Sequence, residues 1–311
     1  MSTAVRVSAF LVALVAAFAV AWGAGRVVGP VEAESGDPHA SASEHAGHRV
    51  EGSNGNASAS SHAVADATGL TAQADGYTLA LDDRTLPAGG TRLSFRVLTS
   101  SGRPLLDYTR THEKDLHLVV VRRDLTGFQH VHPVLDRATG EWSVDVRMTP
   151  GVWRVVADLT PAGWDGIVLA DDVSVAGDYR PAPLPADTRT AQVRTDEGTY
   201  DVTLAGDTAP GASTVLTATV TLDGQPVTDL EPYLGAHGHL VAIRSGDLGY
   251  LHVHPEEGAP GPGVDFATAF PTAGTYRLFL DFQHRGQVRT AAFTVESGGA
   301  PTHSGGSGHD H

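Results

Sequence analysis

The strongest constraint on this chain is that it repeats itself. Residues 115–133, DLHLVVVRRDLTGFQHVHP, and residues 237–255, HGHLVAIRSGDLGYLHVHP, align without a gap at a constant offset of 122. The match extends to both sides: Tyr77 and Tyr200 open the first strand of each copy, and Gly102-x-Pro104 matches Gly224-x-Pro226. After a one-residue shift, GVWRVVADL at 151–159 matches GTYRLFLDF at 274–282. The chain is a tandem duplication, so one compact fold has to account for both copies.

Each copy is a series of short runs rich in Val, Thr, Leu and aromatic residues, punctuated by Gly, Pro or Asp, which is the pattern of a sandwich of short strands. TRLSFRVL, LHLVVVRR, FQHVHP, EWSVDVRM, GVWRVVADL and IVLADDVSV are the best strands of the first copy. No segment after the N-terminal one holds a capped helical period. The expected fold class is all-β, with two tandem seven-stranded immunoglobulin-like β-sandwich domains at residues 75–178 and 197–297. A stiff linker carrying PAPLP, residues 179–196, joins them.

The ends have a different character. Between Arg6 and Arg26 runs VSAFLVALVAAFAVAWGAG, uncharged throughout, so residues 1–29 read as a signal peptide or a hydrophobic helix anchoring the chain in the membrane. Val31 and Ala33 satisfy the small-residue cleavage rule. Either way the domains are expected outside the cytoplasm, secreted or membrane-anchored. Residues 30–74 lack apolar periodicity and carry His39, His45, His48 and His62, the composition of a disordered tether. Residues 298–311 repeat the theme with His303, His309 and His311. Such histidines can collect metal weakly or simply be solvated.

Composition narrows the chemistry. The absence of cysteine excludes disulfides, thiolate metal sites and cysteine nucleophiles, and two methionines leave little room for a thioether copper(I) site. A formal charge of −15 argues against a nucleic-acid partner and in favour of cations. The 16 histidines make that charge sensitive to pH near neutrality.

The repeated histidines are the candidate site. Side chains alternate along a strand, so His237 and His239 share a face, and so do His252 and His254. Each pair is a two-toothed clamp. A two-residue turn at Ser245-Gly246 would set His239 opposite His252 and His237 opposite His254, close enough for imidazoles to converge on one ion. His239 shares parity with Val241 and Ile243, and His252 with Tyr250, which puts the clamps at one end of an apolar face expected to be the core. The aligned set in the first copy is Asp115, His117, His130 and His132, with a carboxylate replacing one imidazole and with His112 and Glu113 nearby. Imidazole suits copper(II), zinc and nickel; without sulfur, copper is the expected ion and zinc the alternative.

Other repeated residues are read as structural. Trp153 and Tyr276 are expected in the core, and Arg122 and Arg244 beside turns. Arg154 with Arg277, and Asp158 with Asp281, are expected in strand-edge or loop contacts. His284, in the FQHRGQ turn, is expected to be exposed.

A β-sandwich carrying HGH, HVHP and a following GTYRLF strand resembles bacterial extracytoplasmic metal-handling modules of the broad CopC and YtkA-like kind. The resemblance implies copper homeostasis, with His237, His239, His252 and His254 as ligands; the lack of a methionine cluster departs from copper(I) carriers. A membrane metal transporter would be the partner by that analogy. Copper-zinc superoxide dismutases are also sandwiches with a His-x-His element, but they rely on a disulfide that this chain cannot form. A third reading is a cell-envelope interaction module whose histidines are structural or sense pH. No nucleophile, base and oxyanion constellation is visible, so the expectation is a binding protein and not an enzyme.

Overall fold

The computed structural model describes residues 68–298. The N-terminal apolar segment, the tether through residue 67 and the tail from residue 299 lie outside the described residues. Both copies belong to one compact unit, Ser60–His311.

The first copy forms β1 (Gln73–Ala74), β2 (Tyr77–Leu81), β3 (Thr85–Leu86), β4 (Gly89–Leu98) and β5 (Leu116–Arg122). It continues with β6 (Gln129–Val131), β7 (Val134–Asp136), β8 (Glu141–Met148), β9 (Gly151–Leu159) and β10 (Ile167–Val175). The second forms β11 (Thr190–Thr195), β12 (Gly198–Ala205), β13 (Ser213–Leu222), β14 (Gln225–Pro226) and β15 (His239–Arg244). It ends with β16 (Tyr250–His252), β17 (His254–Pro255), β18 (Gly263–Ala269), β19 (Gly274–His284) and β20 (Gln287–Ser297). The architecture is all-β, two tandem immunoglobulin-like sandwiches. Short edge pieces of two or three residues raise the strand count above the expected seven per copy. The expected linker at 179–196 already contains β11, an edge strand of the second sandwich.

In the first sandwich the sheet β1-β2-β4-β8-β7 faces β3-β10-β9-β5-β6; in the second β11-β12-β13-β18-β17 faces β16-β15-β19-β20. The HVHP segment runs along an edge in both copies. It pairs first in one sheet, through β6 or β16, and then joins the other sheet through β7 or β17. Proline, which has no N–H to donate to a ladder, is tolerated at such a crossing.

Strand alternation shows where the cores lie. Along β5, Leu116, Leu118 and Val120 fill the first sandwich, as do Trp153, Val155, Ala157 and Leu159 of β9. Leu240 and Ala242 of β15, and Tyr276, Leu278, Leu280 and Phe282 of β19, fill the second. The opposite parity builds a third core between the sandwiches, where Val119, Val121, Leu125, Val156 and Ala170 of the first copy meet Val241, Ile243, Leu248, Tyr250 and Phe279 of the second. Phe128 stacks on Phe279 there, with ring centroids 4.0 Å apart and planes 5° from parallel. The histidine parity set of His239, Val241 and Ile243 therefore does not face its own sandwich core, as expected, but the seam between copies. Both faces of these central strands are buried, which is why they read as continuous apolar runs.

The expected aromatic anchors hold. Trp153 Nε1 donates to the Thr149 carbonyl at 2.8 Å and Tyr276 Oη to the Thr272 carbonyl at 2.9 Å, each four residues back along the chain. His284 is a correction: it is buried, with Nδ1 2.7 Å from Tyr200 Oη and Nε2 3.2 Å from the Asp229 carboxylate. The long β19–β20 ladder runs on to pair His284 with Gln287 and carries it into the sandwich end.

Candidate metal centre in the seam

At one end of the seam the apolar side chains give way to imidazoles. His117 leads β5 on the seam face, 7% exposed. Its Nδ1 lies 3.1 Å from His130 Nε2 and 3.2 Å from His132 Nε2. Among the described residues this is the group whose ligand atoms could hold an ion together, all lying within 4.8 Å of one another. His130 reaches the group from β6, paired to Val119. His132 reaches it from just past the end of β6, where the chain crosses between sheets.

The far side of each ring decides which nitrogen carries the proton. His117 Nε2 lies 2.9 Å from the Thr111 carbonyl, which can only accept, so Nε2 carries the hydrogen and Nδ1 presents a lone pair. His130 Nδ1 lies 3.1 Å from Asp281 Oδ2, whose other oxygen accepts from Thr290 Oγ1 at 2.5 Å, so Nδ1 carries a hydrogen and the neutral ring presents its lone pair at Nε2. When both rings are neutral, two lone pairs face each other at 3.1 Å with no hydrogen between them. Burial pushes the His117 imidazolium down to about 4, with the Thr111 carbonyl opposing the shift and His130 adding to it. Burial, then His130 and His117, hold His132 down to about 3. At neutral pH His117 and His132 are therefore uncharged.

Asp281 comes from β19 of the other copy, on its seam-facing parity. It is 4% exposed, and among the described residues its ion-pair partner is His130. Asp158, its counterpart on β9, accepts from Tyr250 Oη at 3.1 Å across the same seam. Burial beside Asp158 keeps the Tyr250 hydroxyl protonated, well above its ordinary range.

A tight turn sets the carbonyl that holds His117. Thr111 and Lys114 exchange backbone hydrogen bonds of 2.9 and 3.1 Å around His112 and Glu113, both at positive φ, 48° and 65°. That is the conformation of a two-residue hairpin turn, unusual without glycine or asparagine. The second copy repeats it at Tyr233–Ala236, with Leu234 and Gly235 at the tip. The His112 ring lies between the copies, 6.0 Å from His117 and 5.2 Å from His239.

The remaining expected residues fall as follows. Asp115 does not join the triad: its carboxylate pairs with Arg110 at 3.1 Å, because it precedes the strand and turns to the surface. His239 is buried on the seam face, with Nε2 2.7 Å from the Tyr233 carbonyl, and burial pushes it down to about 4. His237 precedes β15 and is half-buried. Gly238 separates these two because a Cβ there would lie 3.1 Å from the Phe266 ring and 3.3 Å from Leu280. The side chains of His252 and His254 lie outside what is described, but their backbone register is set. His252 pairs with Val241, not with His239 as a Ser-Gly turn predicts, since the loop spans Ser245–Leu248 and closes by the Arg244 N–H to the Gly249 carbonyl. The shift is two residues, so the shared face survives.

Sequence reasoning missed Asp281, Asp158 and the Thr111 and Tyr233 carbonyls as parts of the site. The two aspartates left a signal, because they occupy equivalent positions on strands opposite the two repeated histidines.

Fold and site together define a duplicated all-β protein whose copies face each other across a histidine-lined seam. The chain belongs to the family described as Domain of unknown function (DUF8832), whose model matches residues 72–175 and again residues 191–299. No curated protein matches it significantly. Among solved structures it is similar to a DUF4426 family protein from Pseudomonas aeruginosa PAO1, at 10% identity over 35% of this chain and 94% of that one, with a TM-score of 0.26. It is also similar to the D0-D1 domain of intimin (12% identity, 70% of this chain, 96% of that one, TM-score 0.22). Salmonella alpha-2-macroglobulin gives 15% identity over 74% of this chain and 15% of that one, at a TM-score of 0.23. Similarity at this level is no more than that of β-sandwich architecture.

Proposed function

We propose that this protein binds a divalent transition-metal ion through His117, His130 and His132, as an extracytoplasmic metal-handling protein and not an enzyme. The observation that carries the reading is the convergence of His117 Nδ1, His130 Nε2 and His132 Nε2 in one buried cluster. A cation satisfies all three at once. The spacing fits: tetrahedral bonds of about 2.0–2.1 Å to nitrogen put neighbouring ligand atoms about 3.3 Å apart, close to the 3.1 and 3.2 Å found. The His130–Asp281 pair supports the same reading, since a ligating imidazole commonly donates its other N–H to a carboxylate. Copper(II) leads by intrinsic affinity for nitrogen donors, with zinc the alternative. The N-terminal apolar segment supports export, and the histidines of the tether and tail suit a role in gathering ions for the seam. Delivery to a membrane transporter is the partner relation that fits such a module.

Calorimetric titration of copper(II) and zinc(II) into the full chain tests this, beside a variant carrying His117→Ala, His130→Ala and His132→Ala. A weak chelator in the buffer suppresses binding by the tether and tail. Tight, near-integral binding lost in the variant is expected. Binding unchanged in the variant would leave the seam histidines structural or pH-responsive, and the envelope-module reading would replace this one.

A further inference from the structure

A triad of imidazoles leaves a four-coordinate ion with one position to fill. The other copy sets what lies there. Within the histidine cluster a cavity of about 20 Å³ borders His117 and His130, and the second copy lines it with His239, Val241, Tyr250 and Val253. A water-sized occupant needs roughly 10–15 Å³, so the space holds a single small species. A fourth imidazole does not converge with the triad: the ligand atoms within 4.8 Å of one another are those of His117, His130 and His132, and the His239 ring centroid stands 6.2 Å from that of His130.

His239 meets such an occupant as an acceptor. Its Nε2 lies 2.7 Å from the Tyr233 carbonyl, which can only accept, so Nε2 carries the hydrogen and the lone pair of the neutral ring is at Nδ1. Burial holds the imidazolium down to about 4, so the ring is neutral at pH 7. Flipping the ring would break the Tyr233 contact, and the Tyr233–Ala236 turn that places this carbonyl is closed by backbone bonds of 2.8 and 3.2 Å. A water bound to a cation donates both hydrogens, and a donor among Val241 and Val253 is costly without an acceptor. Charge points the same way. Asp281 of the second copy and Asp158 of the first lie at this end of the seam, and as carboxylates they balance one divalent ion whose fourth ligand is neutral.

We infer that the second copy closes the coordination sphere from outside: the ion's fourth ligand is a water in this cavity, and His239 Nδ1 accepts a hydrogen bond from it. His239 is then a positioning residue, and its role rests on the metal reading of the triad. The three protein ligands come from one copy, while two of the acceptors that support them, His239 and Asp281, come from the other. Opening the seam therefore removes both supports and uncovers an exchangeable position on the ion before any bond from protein to metal breaks, which is the order that delivery of the ion requires.

The test is pulsed electron paramagnetic resonance of the full chain equilibrated with copper(II) in a competing chelator, which counts coordinated imidazoles and, in water enriched in oxygen-17, detects a coordinated water. Three imidazoles and one water are expected in the unaltered protein. His239→Ala should keep the three imidazoles and weaken binding by about 10–100-fold, the usual effect of losing a partner behind the ligands. His239→Asn, whose carbonyl can stand near the place of Nδ1, should recover part of that loss; circular dichroism checks the fold of both variants. Four imidazoles without water in the unaltered protein, or affinity of a folded His239→Ala within about twofold of it, would overturn the role of His239 and leave the triad standing. No tightly held ion in the unaltered protein would remove the triad reading and this one with it. Because the unaltered protein alone separates a water from a fourth imidazole, misfolding of a variant does not rescue the proposal.

Discussion

Replacing Asp281 with asparagine separates a metal-supporting role from a merely structural one. The carboxylate is 4% exposed and accepts from His130 Nδ1 at 3.1 Å and from Thr290 Oγ1 at 2.5 Å. Asparagine keeps the shape and one acceptor oxygen but removes the charge that holds His130 with its proton on Nδ1. Loss of such an outer partner typically weakens metal binding by about 10–100-fold, or about 1.4–2.7 kcal/mol. The metal-free protein should respond in the opposite sense. Among the described residues no lysine or arginine pairs with Asp281, so its buried negative charge is costly without a bound cation, and a neutral isostere leaves stability unchanged or raised. The assay is a pair of measurements on Asp281→Asn, a chelator-competition titration with zinc(II) or copper(II) and thermal unfolding in excess chelator. Affinity within about twofold of the unaltered protein would refute the reasoning. So would an affinity loss matched by an equal loss of metal-free stability, since that would mean Asp281 only braces the seam.

The metal-free protein should lose stability in acid. His117 and His239 titrate at about 4 when folded against 6.5 when unconstrained, so the unfolded chain takes up protons first as pH falls. Their contribution is fully present above about pH 6.5 and is lost toward pH 4, by up to about 1.4 kcal/mol per pH unit for each histidine. Urea midpoints measured in chelator at several pH values check this, and a flat profile from 7 to 4.5 would contradict it. Saturating metal should raise the unfolding temperature, the gain reaching about 2.7 kcal/mol when free ion exceeds the dissociation constant by about a hundredfold. A thermal scan against metal concentration reads it, and no concentration dependence would count against the site. Phe279→Ala removes the ring stacked on Phe128 and should cost about 3–5 kcal/mol in chemical denaturation, with weaker metal binding as the copies loosen. A cost below about 1 kcal/mol would mean the seam core contributes little.

Much of the fold was legible because strand chemistry is local. The runs TRLSFRVL, LHLVVVRR, EWSVDVRM, GVWRVVADL and IVLADDVSV appear as β4, β5, β8, β9 and β10 with ends moved by a residue or two at most. Alternation sorted His239, Val241 and Ile243 onto one face correctly but could not say what that face meets. In β5 the even set Leu116, Leu118, Val120 and the odd set Val119, Val121 are equally apolar, and periodicity alone does not distinguish a sandwich core from a contact with a second sandwich. The hairpin register was misjudged for a similar reason. Ser245-Gly246 is a strong turn signal, yet Leu248 takes the positive φ of 62° that closes the loop. Nothing in a leucine announces that. The carbonyls of Thr111 and Tyr233 were invisible because their role belongs to the backbone.

The placement of histidines in the seam follows from the duplication. A sandwich with a two-sided central strand needs a partner for its outer apolar face, and a second copy in the same chain presents an identical face. Two like faces pack reciprocally, so a residue of one copy that touches a residue of the other is matched by the converse contact. His130 with Asp281 and Tyr250 with Asp158 both use equivalent aspartates on equivalent strands, although the residues they meet are not counterparts. Departures from the repeat then become informative. Phe128 and Tyr250 are counterparts, and so are His112 and Leu234, yet only one of each pair can offer a hydrogen bond. The seam is thus apolar and stacked at Phe128 while Tyr250 supports an aspartate, and His112 adds an imidazole beside His239 that the second copy does not return. Equivalent histidines of the two copies therefore sit in different surroundings, and His117 and His239 need not respond alike to one perturbation of the seam.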